Sequence, residues 1–269
     1  MQHAREIAAT AMHMLIEGGI VTTAECQSHF PHLLDLDCSQ PPFQQDHSAL
    51  GKFIDHTVLQ SQATAADIQK LCEEAVKYGF YCVCVQPCRI AEARAVLNTL
   101  NPGQELPHVA SVVGFPQGAN TTAVKVLEAL KAIEDGATEI DMVINQGWLL
   151  ENRYAAVRSE VQAVVSACGN VPVKVIIESS SISEEQICAV SILCVLAGAV
   201  FVKTSTGFGP HGGASIRAVE LMRSTVGWST NPVIGVKASG GIRSKEFALQ
   251  LIEAGATRLG TSASVSLVQ

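Results

Sequence analysis

The sequence has no cluster of basic residues. Its 18 Lys and Arg are outnumbered by 25 Asp and Glu, which gives a formal net charge of −7. That argues against nucleic-acid binding, because backbone phosphates reward a concentrated positive surface. No apolar run approaches the ~20 residues needed to span a bilayer, so no membrane partner is expected. The amphipathic start, MQHAREIAATAMHML, lacks the continuous apolar core and cleavage site of a secretory signal. Arg5 is the only arginine before residue 50, too little basic character for a transit peptide. The 9 cysteines are odd in number, and CVCVQPC (82–88) has neither C-x-x-C redox spacing nor the pattern of a zinc knuckle. They read as free thiols buried in a reducing cytosol, so the expected location is cytoplasmic. The 8 histidines are scattered without ligand spacing, and no metal site or cofactor is expected.

What is present is a repeated alternation. From residue 50 onward, β-like runs fall at 52–57, 80–85, 108–114, 138–144, 173–178, 199–204, 232–238 and 257–262. They are separated by amphipathic stretches such as ATAADIQKLCEEAVKYG, with apolar residues at three- and four-residue intervals and a closing glycine. Ser183 and Gln186 form a capping-box pattern ahead of another helix. Eight near-continuous apolar strands alternating with helices predict an α/β fold, a closed (β/α)8 (TIM) barrel over residues 50–269. An open doubly wound sheet is the alternative, but FIDHTVLQSQAT has no glycine fingerprint after the first strand. The last strand is followed only by VSLVQ, so the eighth helix is nearly missing. Residues 1–49 form an N-terminal helical extension, with a helix at 3–17 and a Pro/Gln-rich linker at 39–48. The extension is expected to cover a barrel end or the gap left by the short last helix.

Charged residues interrupt four successive strands: Asp141, Lys174, Lys203 and Lys237. An outward lysine would face the helix layer, so all four are expected to point inward. Such a cluster could be a salt-bridge network that fixes register. Convergent titratable groups at strand ends more often mark a reactive site. Burial and like charges lower a lysine pKa, and a free amine can form a Schiff base whose iminium is an electron sink. Asp141 could then carry protons. The sequence pattern does not choose among the three lysines. ASGGIRS (238–244) and LGTSAS (259–264) follow strands 7 and 8, where this fold usually binds phosphate. STGFGPHGG (205–213) adds a third flexible loop. A phosphorylated small-molecule substrate is therefore expected.

EIDMVIN, VKVIIE, FVKTSTGFG, GVKASGGIR and GTSAS, in this order, resemble the deoxyribose-phosphate aldolase family, as do FIDHTVL and VVGFPQGAN. The resemblance covers roughly residues 50–265. It implies a metal-free class I aldolase of deoxyribonucleotide catabolism that interconverts 2-deoxy-D-ribose 5-phosphate with D-glyceraldehyde 3-phosphate and acetaldehyde. By motif it makes Lys203 the Schiff-base lysine, Asp141 the proton carrier and Lys237 the amine that lowers the Lys203 pKa. Asp55, Lys174, Thr206, Gly207, Gly240, Gly241, Gly260 and Ser262 become substrate-binding residues. Asp55 would contact substrate hydroxyls or order the lysines, Lys174 would pair with Asp141, and His56 would be structural. The resemblance leaves a homodimer or homotetramer as the expected assembly. Gln60 and Phe208 stand where relatives place lysines, and SVSLVQ brings no late tyrosine, a departure that bears on proton-transfer rate. Another Schiff-base aldolase or transaldolase, a metal-dependent aldolase and a non-catalytic sugar-phosphate binder are the competing readings.

Overall fold

The computed structural model describes residues 2–33, 35, 49–100, 105–229 and 234–269. Its strands are β1 (Ile54–Val58), β2 (Cys82–Val85), β3 (His108–Val113), β4 (Glu139–Val143), β5 (Val173–Ile176), β6 (Phe201–Lys203), β7 (Gly235–Ser239) and β8 (Arg258–Thr261). All eight pair in parallel, and β1 closes on β8, so the sheet is a barrel. The helices are α1 (Gln2–Glu17), α2 (Thr23–His29), α3 (Ala65–Tyr78), α4 (Ile90–Leu100), α5 (Thr122–Glu134), α6 (Gln146–Leu150), α7 (Tyr154–Cys168), α8 (Glu184–Leu196), α9 (Ile216–Val226), α10 (Lys245–Glu253) and α11 (Ser264–Val268). Each strand lies within one of the expected runs or overhangs it by a single residue. The linker expected at 39–48 lies outside the described residues.

Alternation along the strands divides the interior from the helix layer. Ile54, Val83, Ile140, Met142, Val175, Val202, Val236 and Leu259 belong to the main apolar core between sheet and helices. Cys82, Cys84, Ala110 and Val112 form a small second core with Leu59. Of the eight described cysteines all are free, and seven are buried. Burial raises the thiol pKa of Cys82 and Cys84, which keeps both as inert packing groups.

The helix ends follow their sequence signals. Thr64 caps α3, and Gly79 ends it in a left-handed conformation. Ser183 and Gln186 form the expected reciprocal capping box of α8. α11 has only 5 residues, as the short tail implied. Among the described residues, the extension packs chiefly on the helix layer rather than on that short helix. α1 packs along α8 and α9 on the outer layer. The reason is visible in α8, which is apolar on every face and would otherwise expose half of them. Ala4, Ala8, Ala11, Met12 and Leu15 form the stripe of α1 that seals it. Arg158 on α7 fastens the following turn through Ile20 O and the Glu25 carboxylate. Arg5 stacks on the Trp228 ring at 4.2 Å.

Met12 is fully buried in this contact. Met12→Ala should lower unfolding stability by about 2–5 kcal/mol, the usual cost of truncating a large buried side chain. Activity should stay the same, because the contact is on the outside of the helix layer. An unchanged denaturation midpoint would show that the extension is not part of the folded unit.

Candidate active site

The inward positions of six strands carry the charges. Strand register places Asp141 beside Lys174, and Lys203 beside Lys237. Lys174 Nζ lies 2.7 Å from Asp141 Oδ1, 2.6 Å from Glu139 Oε2 and 3.7 Å from Asp55 Oδ2. Lys237 Nζ lies 2.7 Å from Asp141 Oδ2 and also pairs with Asp55. Arg258 reaches Asp55 Oδ1 at 3.0 Å and Glu139 Oε2 at 3.7 Å. Lys203 Nζ has one carboxylate partner, Asp141 Oδ2, at 2.8 Å. All seven side chains are buried. The cluster thus sets four cations against three carboxylates.

That imbalance acts differently on each group. Burial opposes charge on all of them. At Asp55 and Asp141 it is outweighed by the surrounding cations, and both carboxyls are held well below the usual range. At Lys174 it is outweighed by Asp141, Glu139 and Asp55, and at Lys237 by Asp141 and Asp55, so both ammonium groups are reinforced. At Lys203 burial prevails. Asp141 resists it, Lys237 adds to it, and the pKa falls below that of an ordinary lysine.

Above the cluster the mouth of the barrel opens into a cavity of about 300 Å³. Lys203 lines its floor, and Thr206, Gly207, Gly240, Gly241, Gly260 and Ser262 line its walls, as expected. Asp55 and Lys174 are not among the cavity's lining residues; Lys174 pairs with Asp141, and Asp55 pairs with Lys237, the ordering contacts the sequence reading also offered. Asp141 and Lys237 are not among the lining residues either. Gly240 has φ +88°, and a Cβ there would come within 2.9 Å of Gly213 Cα, so the loops after β6 and β7 can meet only through glycine. A Cβ on Gly260 would sit 3.0 Å from Lys237 Cε, so that glycine makes room for the lysine beneath the cavity. Gln60 and Phe208 both line the opening, and Phe208 packs edge-on against Phe115 at 5.3 Å. His56 points outward from β1, away from the cavity, toward Glu74 and Ser264.

Four residues of the site were not singled out from the sequence. Glu139 and Arg258 complete the charge cluster. Glu139 precedes Asp141 by two residues, and the period-2 rule that turned Asp141 inward applies to it equally. Arg258 opens strand 8 in the same way. Arg243 lines the cavity from the loop after β7. Glu178 is buried just beyond β5 in a left-handed conformation, φ +51°, and its carboxylate accepts the Thr206 hydroxyl at 2.6 Å. This residue closes the run expected at 173–178, two alternations on from Lys174, although β5 itself ends at Ile176. Among the described residues, Asp55, Cys82 and Glu139 bring ligating atoms within reach of one another, but both carboxylates already face Lys174 and Arg258.

A lysine held toward its free amine at the floor of a (β/α)8 barrel, under glycine and hydroxyl loops, is an arrangement that suits a lyase working through an amine. The chain belongs to the DeoC/LacD family of aldolases, whose model matches residues 50–264. It is 50% identical over 222 residues to the deoxyribose-phosphate aldolase of Thermococcus gammatolerans, covering 82% of this chain and 95% of that protein. It is 46% identical over 220 residues to that of Mannheimia succiniciproducens, covering 82% and 94%. The solved deoxyribose phosphate aldolase of Aeropyrum pernix superimposes with a TM-score of 0.72 at 34% identity, covering 81% of this chain and 89% of that one.

Lys174→Met should destabilise the fold by about 3–5 kcal/mol, because it takes from buried Glu139 its closest cation and from buried Asp141 one of its three. Chemical denaturation measures this. A change below about 1 kcal/mol, the usual scale of an exposed ion pair, would mean that the cluster closes around the loss.

Proposed function

We propose that this chain is a class I deoxyribose-phosphate aldolase, with Lys203 as the nucleophile. It cleaves 2-deoxy-D-ribose 5-phosphate to D-glyceraldehyde 3-phosphate and acetaldehyde, reversibly. The observation that carries the assignment of Lys203 is its position. Of the cluster's cations it alone lines the cavity, and it alone is pushed toward the free amine.

The neutral Lys203 amine adds to the C1 carbonyl, and the carbinolamine loses water to give an iminium. The C3 hydroxyl then gives up its proton, and the C2–C3 bond breaks. Its electron pair moves through C2 into the iminium, leaving an enamine on Lys203 and releasing C3 as the aldehyde of glyceraldehyde 3-phosphate. Protonation at C2 and hydrolysis of the iminium release acetaldehyde and restore the amine. Asp141, 2.8 Å from the Lys203 nitrogen, accepts and returns protons in these steps. Lys237, 2.7 Å from the same oxygen, donates a hydrogen bond that holds this carboxylate in place. Gly207, Gly240, Gly241, Gly260 and Ser262 present backbone and hydroxyl donors to the phosphate. Arg243, on the same wall, adds a positive charge. Thr206 orients the sugar hydroxyls, itself held by Glu178.

No described helix is long and apolar enough to cross a membrane. Buried free thiols favour a reducing compartment, and we place the enzyme in the cytosol. The Aeropyrum pernix protein is tetrameric, and an assembly of two or four copies is our reading here. Residues 50–269 serve as the catalytic domain, with 1–49 as its extension.

Borohydride reduction in the presence of acetaldehyde should trap a stable adduct that peptide mapping places on Lys203. Lys203→Arg should abolish both adduct and turnover, because a guanidinium stays protonated. An adduct on Lys174 or Lys237 with Lys203 unmodified would overturn the assignment.

A further inference from the structure

His56 neighbours Asp55 on β1 but faces the other way. Its ring is buried between α3 and α11, against Phe80 at 5.1 Å. Nε2 lies 2.8 Å from Glu74 Oε2 on α3, and Nδ1 lies 2.8 Å from Ser264 Oγ, the first residue of α11. The Ser264 hydroxyl has one proton to share between His56 Nδ1 and Thr261 O, 3.0 Å away, and Thr261 Oγ1 donates to Ile242 O at 2.7 Å. Thr261 and Ile242 both line the cavity, one as the last residue of β8 and the other from the loop after β7. A chain of polar contacts therefore runs from the outer face of β1 to both loops that our functional reading assigns to the phosphate. A helix of 5 residues cannot hold itself in place. The loop it terminates must be fixed from outside, and among the described residues the His56 ring and the Thr261 backbone are the partners of the Ser264 hydroxyl.

We propose that His56 is a positioning residue for phosphate recognition. Anchored by Glu74, it fixes Ser264, and through Ser264 the loops after β7 and β8, so that their donors converge on the 5-phosphate. The inference rests on those loops being the phosphate site. It adds that their geometry is set from behind the barrel wall by a residue that touches neither substrate nor Lys203.

The test compares His56→Ala and Ser264→Ala with the parent on 2-deoxyribose 5-phosphate and on unphosphorylated 2-deoxyribose. Inorganic phosphate is run as a competitive inhibitor. Ser264→Ala deletes one hydroxyl and is the variant to use if His56→Ala fails to fold. Losing one buried hydrogen-bond partner should raise KM for the phosphorylated substrate and the Ki of phosphate by about tenfold. The kcat/KM for 2-deoxyribose should not change. Ser262→Asp, which puts an anion into the loop, is the control for the phosphate reading itself. If Ser262→Asp selectively weakens the phosphorylated substrate while the His56 and Ser264 variants do not, the latch is wrong and the phosphate reading stands. If Ser262→Asp fails to discriminate, the phosphate reading fails and the inference goes with it. An equal loss on both substrates in the His56 and Ser264 variants would mark His56 as a general stabiliser and overturn the proposal.

Discussion

Four cations and three carboxylates are sealed inside one small barrel, and the account of this protein depends on that mismatch. Two unit charges ~4 Å apart at an effective dielectric of ~20 interact by about 4 kcal/mol. That is up to about three pKa units. A site with one surplus positive charge therefore favours release of one proton. The proton leaves from the cation with least carboxylate support. Lys174 faces three carboxylates, Lys237 two and Lys203 one. Arg258 cannot serve, because a guanidinium stays charged. The amine that is cheapest to deprotonate is also the one at the cavity floor, and the proposed reactivity of Lys203 rests on that coincidence.

The barrel makes the arrangement possible by giving each strand two independent faces. Outward residues build the apolar layer against the helices, while inward residues bring charges from β1, β4, β5, β6, β7 and β8 to one point. β1 shows the economy in two consecutive residues. Asp55 points in and neutralises Lys237 and Arg258, and His56 points out toward Glu74 and Ser264. The extension solves a separate problem, covering the outer face of an α8 that is apolar all round. Its described residues add burial on that outer face.

Most of the barrel could be read from the chain because it rests on local, periodic signals. Period-2 alternation fixed which way Asp141, Lys174, Lys203 and Lys237 point, and glycine-and-hydroxyl runs marked the loops above them. The choice of Lys203 among three lysines could not be read that way. It depends on how many carboxylates each amine meets, which only the closed register determines. Glu139 was legible in principle, two residues before Asp141, but it passed as part of a strand start. Glu178 ended the expected 173–178 run on the side of Lys174, but its role rests on a left-handed backbone beyond the strand and a contact with Thr206, which the alternation does not give. The seat of the extension was misjudged because it follows from α8 having no polar face, and the search for its partner was confined to the barrel ends and the last helix.

The pH dependence of kcat/KM for Lys237→Leu tests most directly the claim that like-charge repulsion tunes Lys203. Removing Lys237 deletes the neighbouring cation that lowers the Lys203 pKa and frees Asp141 to stabilise the Lys203 ammonium. The folded-state pKa of Lys203 should therefore rise, and free amine should appear only at higher pH. Activity near pH 7 should fall by about tenfold or more, since each pKa unit is a factor of ten in free amine. It should recover in part as pH rises through the new pKa. Activity lost equally at every pH, with the basic limb unchanged, would contradict electrostatic tuning and leave Lys237 as a hydrogen-bond donor alone.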